Sequence, residues 1–180
     1  GYCVPDGPDN QIIDLTASGD KQNITPLSLI RCERRNHPEG IGLDYFLIKA
    51  PQAVLSTRIA RPEFLKMMAP EMGKAEWQEQ QSGKILDGVS KDVSDAVGSE
   101  IAITGSIGPH GVDSDCAYMG GVLDVETAAG KQSIQVGACM TSTGAKIMTV
   151  NAYGAADSPG GVAGQMRRAH DLAMQIRPAR

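Results

Sequence analysis

The chain has 180 residues, which suits one domain with a core of its own. Its 17 basic and 21 acidic side chains give a net charge of −4, and no basic patch is interleaved with aromatic residues, so nucleic-acid binding is not expected. Aromatic residues make up only 4% of the chain, which argues against a face of stacking platforms, and no apolar run has the length of a transmembrane segment.

The N-terminal part reads as irregular chain followed by short strands. Its start at Gly1, without methionine or an apolar leader, is typical of a mature form whose signal peptide was removed, or of a trimmed chain. Residues 1–26 are predicted to be an irregular lead-in with one short strand at 11–16, and residues 27–180 a single α+β domain. Further strands are expected at 27–34 and 44–50.

Two helices and a run of strands are predicted next. Residues 62–68 can form a short helical stretch before Pro70, and residues 80–98 repeat apolar residues at helical spacing. That stripe consists of Ile85, Leu86, Val89, Val93, Ala96 and Val97. Residues 100–154 alternate as an antiparallel meander with tight turns, and residues 158–178 predict a closing helix.

This order of elements predicts an α+β fold in which helices cover an antiparallel sheet. The arrangement is an extended pair leading to DYFLIKA, an amphipathic helix, long hairpins around YMGGVLDVET and IQVGACMT, then AKIMTVNAYG and a final helix. It resembles the PsbP-like sandwich of extrinsic photosynthetic subunits, Mog-type Ran-binding proteins and small bacterial envelope lipoproteins, over residues 27–177. The resemblance implies an accessory or binding role and carries over no catalytic residue.

The four cysteines are spaced for disulfides. A zinc site or a dithiol redox centre brings cysteines together in close pairs, and no such pair occurs here. Of the three connectivities, we favour Cys3 with Cys32, which anchors the N-terminus, and Cys116 with Cys139, which lie in neighbouring strands. The alternative is four buried thiols in a cytosolic protein. The cysteines therefore favour a secreted or periplasmic location.

The polar loop predicted at residues 105–116 is the strongest local candidate site. Ser106 as nucleophile, His110 as base and Asp113 as orienting group would make a hydrolase, although the G-x-S-x-G elbow is absent. His110, Asp113 and Asp115 could instead hold a metal ion, but the remaining ligands of a calcium loop are missing. The simpler interpretation is an exposed hairpin loop whose Asp and Ser side chains bond the backbone.

A glycine-rich segment begins the last helix. SPGGVAG could cradle a phosphate, but it lacks the lysine and the spacing of a P-loop. We therefore interpret Gly160, Gly161 and Gly164 as permitting close helix packing, with Arg167 and Arg168 on a solvated face.

Methionines flank Pro70 and could line an adaptable groove, since methionine fills irregular apolar surfaces. The candidate binding residues are Met67, Met68, Met72 and Trp77. We expect a non-catalytic secreted or periplasmic accessory protein that binds a protein partner or a small ligand, with no cofactor and no metal. The alternatives are the extracytoplasmic hydrolase that uses Ser106 and His110, and an envelope-assembly or immunity-type protein. The sequence does not indicate the oligomeric state.

Overall fold

The computed structural model of the chain describes most of its residues. The described ranges are 1–18, 20–74, 90–91, 94, 100–128 and 130–177. The helix predicted at 80–98 lies mostly outside these ranges, although Ser90, Lys91 and Ser94 are helical. Trp77 also lies outside them.

In the described part of the chain, seven strands form one sheet in which every neighbouring pair is antiparallel. The order across the sheet is β1-β2-β3-β7-β6-β5-β4. The strands are β1 (Tyr2–Cys3), β2 (Asn23–Arg31), β3 (Tyr45–Pro51), β4 (Ala102–Val112), β5 (Ala117–Thr127), β6 (Gly130–Thr143) and β7 (Lys146–Ala155).

The expected sandwich, an α+β fold with a helix-covered sheet, is wrong. Three short α-helices lie wholly within the described ranges, α1 (Pro8–Ser18), α2 (Arg61–Met72) and α3 (Gly161–Ala173), together with two 3-10 turns, Cys32–Arg34 and Gln52–Val54. Strands β4 to β7 have 10 to 14 residues each, and most of β4 is exposed. The chain is therefore a β-rich fold. One reason for the error is that most of the loop predicted at residues 105–116 is strand, since β4 continues to Val112.

The hairpins after residue 100 follow the sequence pattern closely. The strands predicted there form β4 to β7, and β6 turns into β7 through two residues, Gly144 and Ala145. Both residues have positive φ, of 59° and 63°, as the right-handed twist of a two-residue hairpin requires. The strand predicted at 44–50 is β3, and the one at 27–34 is β2, which begins and ends earlier.

The strand predicted at residues 11–16 is wrong, because this segment belongs to helix α1. The helix begins with Pro8, a favoured first residue, and the buried carboxylate of Asp9 accepts a 2.7 Å hydrogen bond from the backbone N–H of Asn36. Ile13 packs into a cluster with Ile30 and Leu47. Tertiary contacts thus decide this segment against its local strand propensity.

The helices lie on both faces of the sheet. Ala169 and Ala173 of α3 pack on one face, in a cluster with Phe46 and Val150. The other face carries α1 and α2, since Leu47 alternates with Phe46 along β3 and contacts the α1 cluster. On α2, two buried side chains, Phe64 and Leu65, pack with Ala117 and Met140. Alternate residues of the central strands therefore supply two separate cores.

A row of glycines lets α3 approach the sheet closely. Gly120 and Gly137 are cross-strand partners on β5 and β6. A Cβ atom built on Gly137 would lie 2.2 Å from the backbone nitrogen of Met166, and one on Gly120 would lie 2.5 Å from a methyl group of Val162. Only a residue without a side chain fits there, so these glycines set the depth at which α3 packs.

Both disulfides of the favoured pairing are present. Cys3 bonds Cys32 with a Cα–Cα distance of 5.0 Å, and Cys116 bonds Cys139 at 5.2 Å. The first ties β1 to the end of β2. The second joins Cys116, the residue before β5, to Cys139 in β6, inside the cluster that contains Ala169 and Ala173, which we call the α3 core. Their oxidised state fits an extracytoplasmic protein.

Two serines cover the outer edge of the sheet at the start of β4. The Ser90 hydroxyl accepts from the Ile103 N–H at 2.9 Å and donates to the Ile103 carbonyl at 3.2 Å. Ser94 makes the same pair of bonds with Ile101, at 2.9 Å and 3.0 Å. Backbone groups that would otherwise offer a template for strand pairing are thereby satisfied.

Across the described residues, no helix has the length and apolar character needed to cross a membrane.

Candidate functional site

The structure does not assemble the predicted hydrolase residues. Ser106 and His110 both lie on β4 and are exposed. Four residues along a strand span about 13 Å, and no hydrogen bond joins the two side chains. Asp113 lies in the turn after β4 and contacts neither of them through a hydrogen bond. The three residues therefore share a hairpin without forming a catalytic unit.

Asp113 organises the turn at residues 113–116. Its carboxylate accepts 2.8 Å hydrogen bonds from the backbone N–H groups of Asp115 and Cys116, and a 2.7 Å bond from the Tyr118 hydroxyl. Partial burial opposes ionisation, but these hydrogen bonds outweigh it and hold the pKa of Asp113 below its usual range. Partial burial and the bond to Asp113 raise the pKa of Tyr118. Asp113 thus acts as a structural turn residue.

The proposed metal ligands are also engaged elsewhere. Asp115 accepts a 2.9 Å bond from Nη1 of Arg61, and its other oxygen lies 3.7 Å from Nε2 of His170. The Nε atom of Arg61 donates to the Ser142 carbonyl at 3.3 Å. His110 does not join this network, and the described residues contain no group of three potential metal ligands. The network links the N-terminus of α2 to the C-terminal part of α3.

The glycine-rich start of α3 serves packing. Gly160 has a φ of 80°, and the N–H of Gly164 donates to its carbonyl at 2.8 Å. A Cβ atom on Gly164 would lie 2.6 Å from the Pro159 carbonyl oxygen. Arg168 is not solvated as predicted, because its guanidinium lies 4.8 Å from the centre of the Phe46 ring.

The methionines of α2 do not share one surface. Met72 is buried, and Met68 is partly buried, in the cluster that contains Phe64 and Leu65. Met67 is 54% exposed. Trp77, the fourth candidate, lies outside the described residues. The described part of α2 therefore offers one large exposed apolar side chain instead of a methionine-lined groove.

A groove of about 290 Å³ lies on the α3 face of the sheet, beyond the C-terminal end of α3. Its floor crosses strands β2, β3 and β7, and residues 176–177 form a wall. The apolar lining consists of Pro26, Leu27, Ile48, Ala50, Ile147, Met148 and Ile176. We call this the basic-rimmed groove.

The floor belongs to the same core as α3, at the part that lies beyond the end of the helix. Leu27 and Ile48 are cross-strand partners, so their side chains share one face. Ile48 and Met148 are members of the α3 core, and Leu27 and Ile176 pack against it. The exposed side chain of Ile24 extends this surface, because its partner is Ala50 at the groove.

The rim is basic. Lys49, Lys146 and Arg177 line the groove, and no acidic residue does so in the described part of the chain. Lys49 is ion-paired with Asp20 at 2.6 Å. Within the described ranges, Lys146 and Arg177 donate hydrogen bonds only to backbone carbonyl oxygens. Neither cation is therefore paired with a carboxylate among these residues. In a chain of net charge −4, this rim is locally positive.

An unpartnered hydroxyl lies beside Lys146. Thr143 lines the groove and is the cross-strand partner of Lys146 across the β6–β7 turn. Its Oγ1 atom is buried without a hydrogen-bond partner among the described residues. Buried hydroxyls are normally hydrogen-bonded, so this atom is an exception among the described residues.

The groove could not be predicted from the sequence, for a physical reason. Its lining comes from residues 26–27, 48–50, 143–148 and 176–177, which only the sheet brings together. No local motif signals such a site. The alternation predicted over residues 100–154 includes β7, but it does not show which part of the sheet the last helix covers.

Comparison with known proteins found no matching family model, no matching curated protein and no matching solved structure.

Proposed function

We propose that this chain is a non-catalytic extracytoplasmic binding protein that takes a small ligand in the basic-rimmed groove. The groove carries the proposal: a concave apolar surface of about 290 Å³, with a few polar groups at its rim. Its volume is close to the lower end of the range for ligand pockets, about 300 to 1,000 Å³. This favours a small ligand over a protein partner.

The two disulfides support a secreted or periplasmic location. Disulfides of this kind persist in oxidising compartments and are rare in the cytosol. The resemblance to the PsbP-like family stays a prediction that is compatible with a binding role.

The geometry of the polar side chains at residues 105–116 supports a non-catalytic role for this hairpin. A general base must lie within hydrogen-bonding reach of its nucleophile, and His110 makes no such contact with Ser106. Asp113 and Asp115 are committed to the turn and to Arg61. These contacts give both carboxylates structural roles.

The proposal predicts saturable binding of a neutral apolar probe. In a ¹⁵N-NMR titration of the oxidised protein with octanol, we expect shifts confined to residues around the groove. Ile176→Asp should weaken binding about tenfold or more, because it places a carboxylate against the apolar ligand.

The matched control is Met67→Asp, which adds the same charge at an exposed apolar position on α2, on the opposite face. It should bind octanol like the original protein. The proposal fails if octanol produces no saturable shifts, or if both variants bind it equally well.

A further inference from the structure

We propose that the ligand of the basic-rimmed groove is a single-chain anionic amphiphile, a medium-chain carboxylate, with its head at Lys146 and Arg177. This inference rests on the proposed binding function and names its ligand class. It follows from two features of the same groove: a floor without polar character and a rim whose charged residues are all basic.

The head group finds donors at the β6–β7 end. Lys146 donates to the carbonyl oxygens of Leu55 and Thr57, and an ammonium group has three donors. Arg177 uses Nη1 for the carbonyls of Met174 and Ile176, which leaves its Nη2 and Nε donors unused in the described ranges. A carboxylate accepts such charge-assisted bonds, whereas an ammonium head would be repelled.

The unpartnered hydroxyl lies at the same end. Thr143 faces Lys146 across the turn, and its buried Oγ1 has no partner among the described residues. A hydroxyl can donate one hydrogen bond to an anion, so rotation of this side chain about χ1 would bring a third donor to the head end.

The tail fits the floor between the rim and β2. From β6 to β2 the groove crosses three strand spacings, about 14 Å at about 4.8 Å each. Leu27, Ile48 and Met148 line that path and offer no polar group to the tail. An unbranched alkyl chain can lie across the strands, with its carboxylate at Lys146.

The experiment compares octanoate, octanol and octyltrimethylammonium, each below its micelle concentration, by NMR titration of the oxidised protein. Octanoate should bind about tenfold more tightly than octanol, the lower end of what a bond between charged groups contributes at a partly exposed rim. Octyltrimethylammonium should bind most weakly. The preference for octanoate should shrink with added salt.

The combined variant Lys146→Gln and Arg177→Gln should remove the preference, so that octanoate and octanol bind with equal affinity. Unchanged thermal unfolding of this variant shows that the fold is intact. Added to Lys146→Gln alone, or to Arg177→Gln alone, Thr143→Val should lower the preference for octanoate below that of the single variant. Lys66→Gln, which removes an exposed charge from α2, is the control and should keep the full preference.

The outcomes separate the two proposals. Equal affinity for octanoate and octanol overturns the anionic ligand but leaves a binding groove. A preference that persists in the combined variant also overturns it, because the charge would then come from elsewhere. Failure of all three probes to bind overturns the binding function itself.

Discussion

Individual side chains of the 113–116 turn show how residues that suggest catalysis can be structural. Asp113 satisfies two backbone N–H groups and the Tyr118 hydroxyl at once. A carboxylate followed closely by Ser, Asp and Cys is therefore explained by a hydrogen-bonded turn, the simpler interpretation of the sequence. The position of the turn next to the buried Cys116–Cys139 disulfide makes its geometry important for the core.

Replacement of Asp113 tests this role through its pH dependence. Asp113→Ala should destabilise the protein by about 0.5 to 1.5 kcal/mol at neutral pH, because two backbone donors and one hydroxyl lose their acceptor at an exposed turn where water can partly replace it. Since the pKa of Asp113 is lowered in the folded state, the stability due to its ionised form is complete above the ordinary value near 3.9. It is lost as the pH falls through the lower, folded pKa.

Urea unfolding at pH 7 and near pH 2 measures this effect. The difference in the free energy of unfolding between Asp113→Ala and the original protein should be larger at pH 7 than near pH 2. Ser114→Ala, at the exposed neighbour, serves as the control with little effect at either pH. An equal loss at both pH values would show that the ionised carboxylate contributes nothing to the turn.

Among the elements, the position of α3 in the chain was well predicted from the sequence, but the way it packs on the sheet was not. Apolar spacing and Pro178 located the helix, but the depth of its contact depends on glycines in β5 and β6, far away in the chain. The hairpins were predictable because alternation and turn residues are local signals. Helix α1 was not, since Ile13 is buried by partners in β2 and β3 that no local pattern reveals.

The close contact of α3 predicts a strong asymmetry between two identical substitutions. Gly137→Ala should destabilise the protein by about 3 kcal/mol, because the added methyl group meets the backbone of α3 at 2.2 Å. Gly108→Ala, on β4, adds the same methyl group where nothing lies within 4 Å, so it should be neutral or slightly stabilising.

Thermal unfolding of the two variants under oxidising conditions gives the comparison. A Gly137→Ala protein as stable as Gly108→Ala would show that α3 does not rest on the glycines of the sheet.

The features of the whole molecule agree with the proposed extracytoplasmic binding role. They are two disulfides, a seven-stranded sheet and a groove on one sheet face beyond the end of α3. The disulfide pairing was predictable from four cysteines and the order of the strands, because neighbouring strands bring Cys116 and Cys139 together. The overall class was not, since the predicted loop at residues 105–116 adds to the sheet and the helices are short. The groove arises only from the folded chain, where α3 ends before the sheet does.

A crystal structure of the oxidised protein grown with octanoate would show directly whether the basic-rimmed groove binds a carboxylate amphiphile. We expect an alkyl chain lying across β2, β3 and β7, with its carboxylate in contact with Lys146 and Arg177. A ligand bound at another surface, or one whose carboxylate points away from both cations, would contradict it.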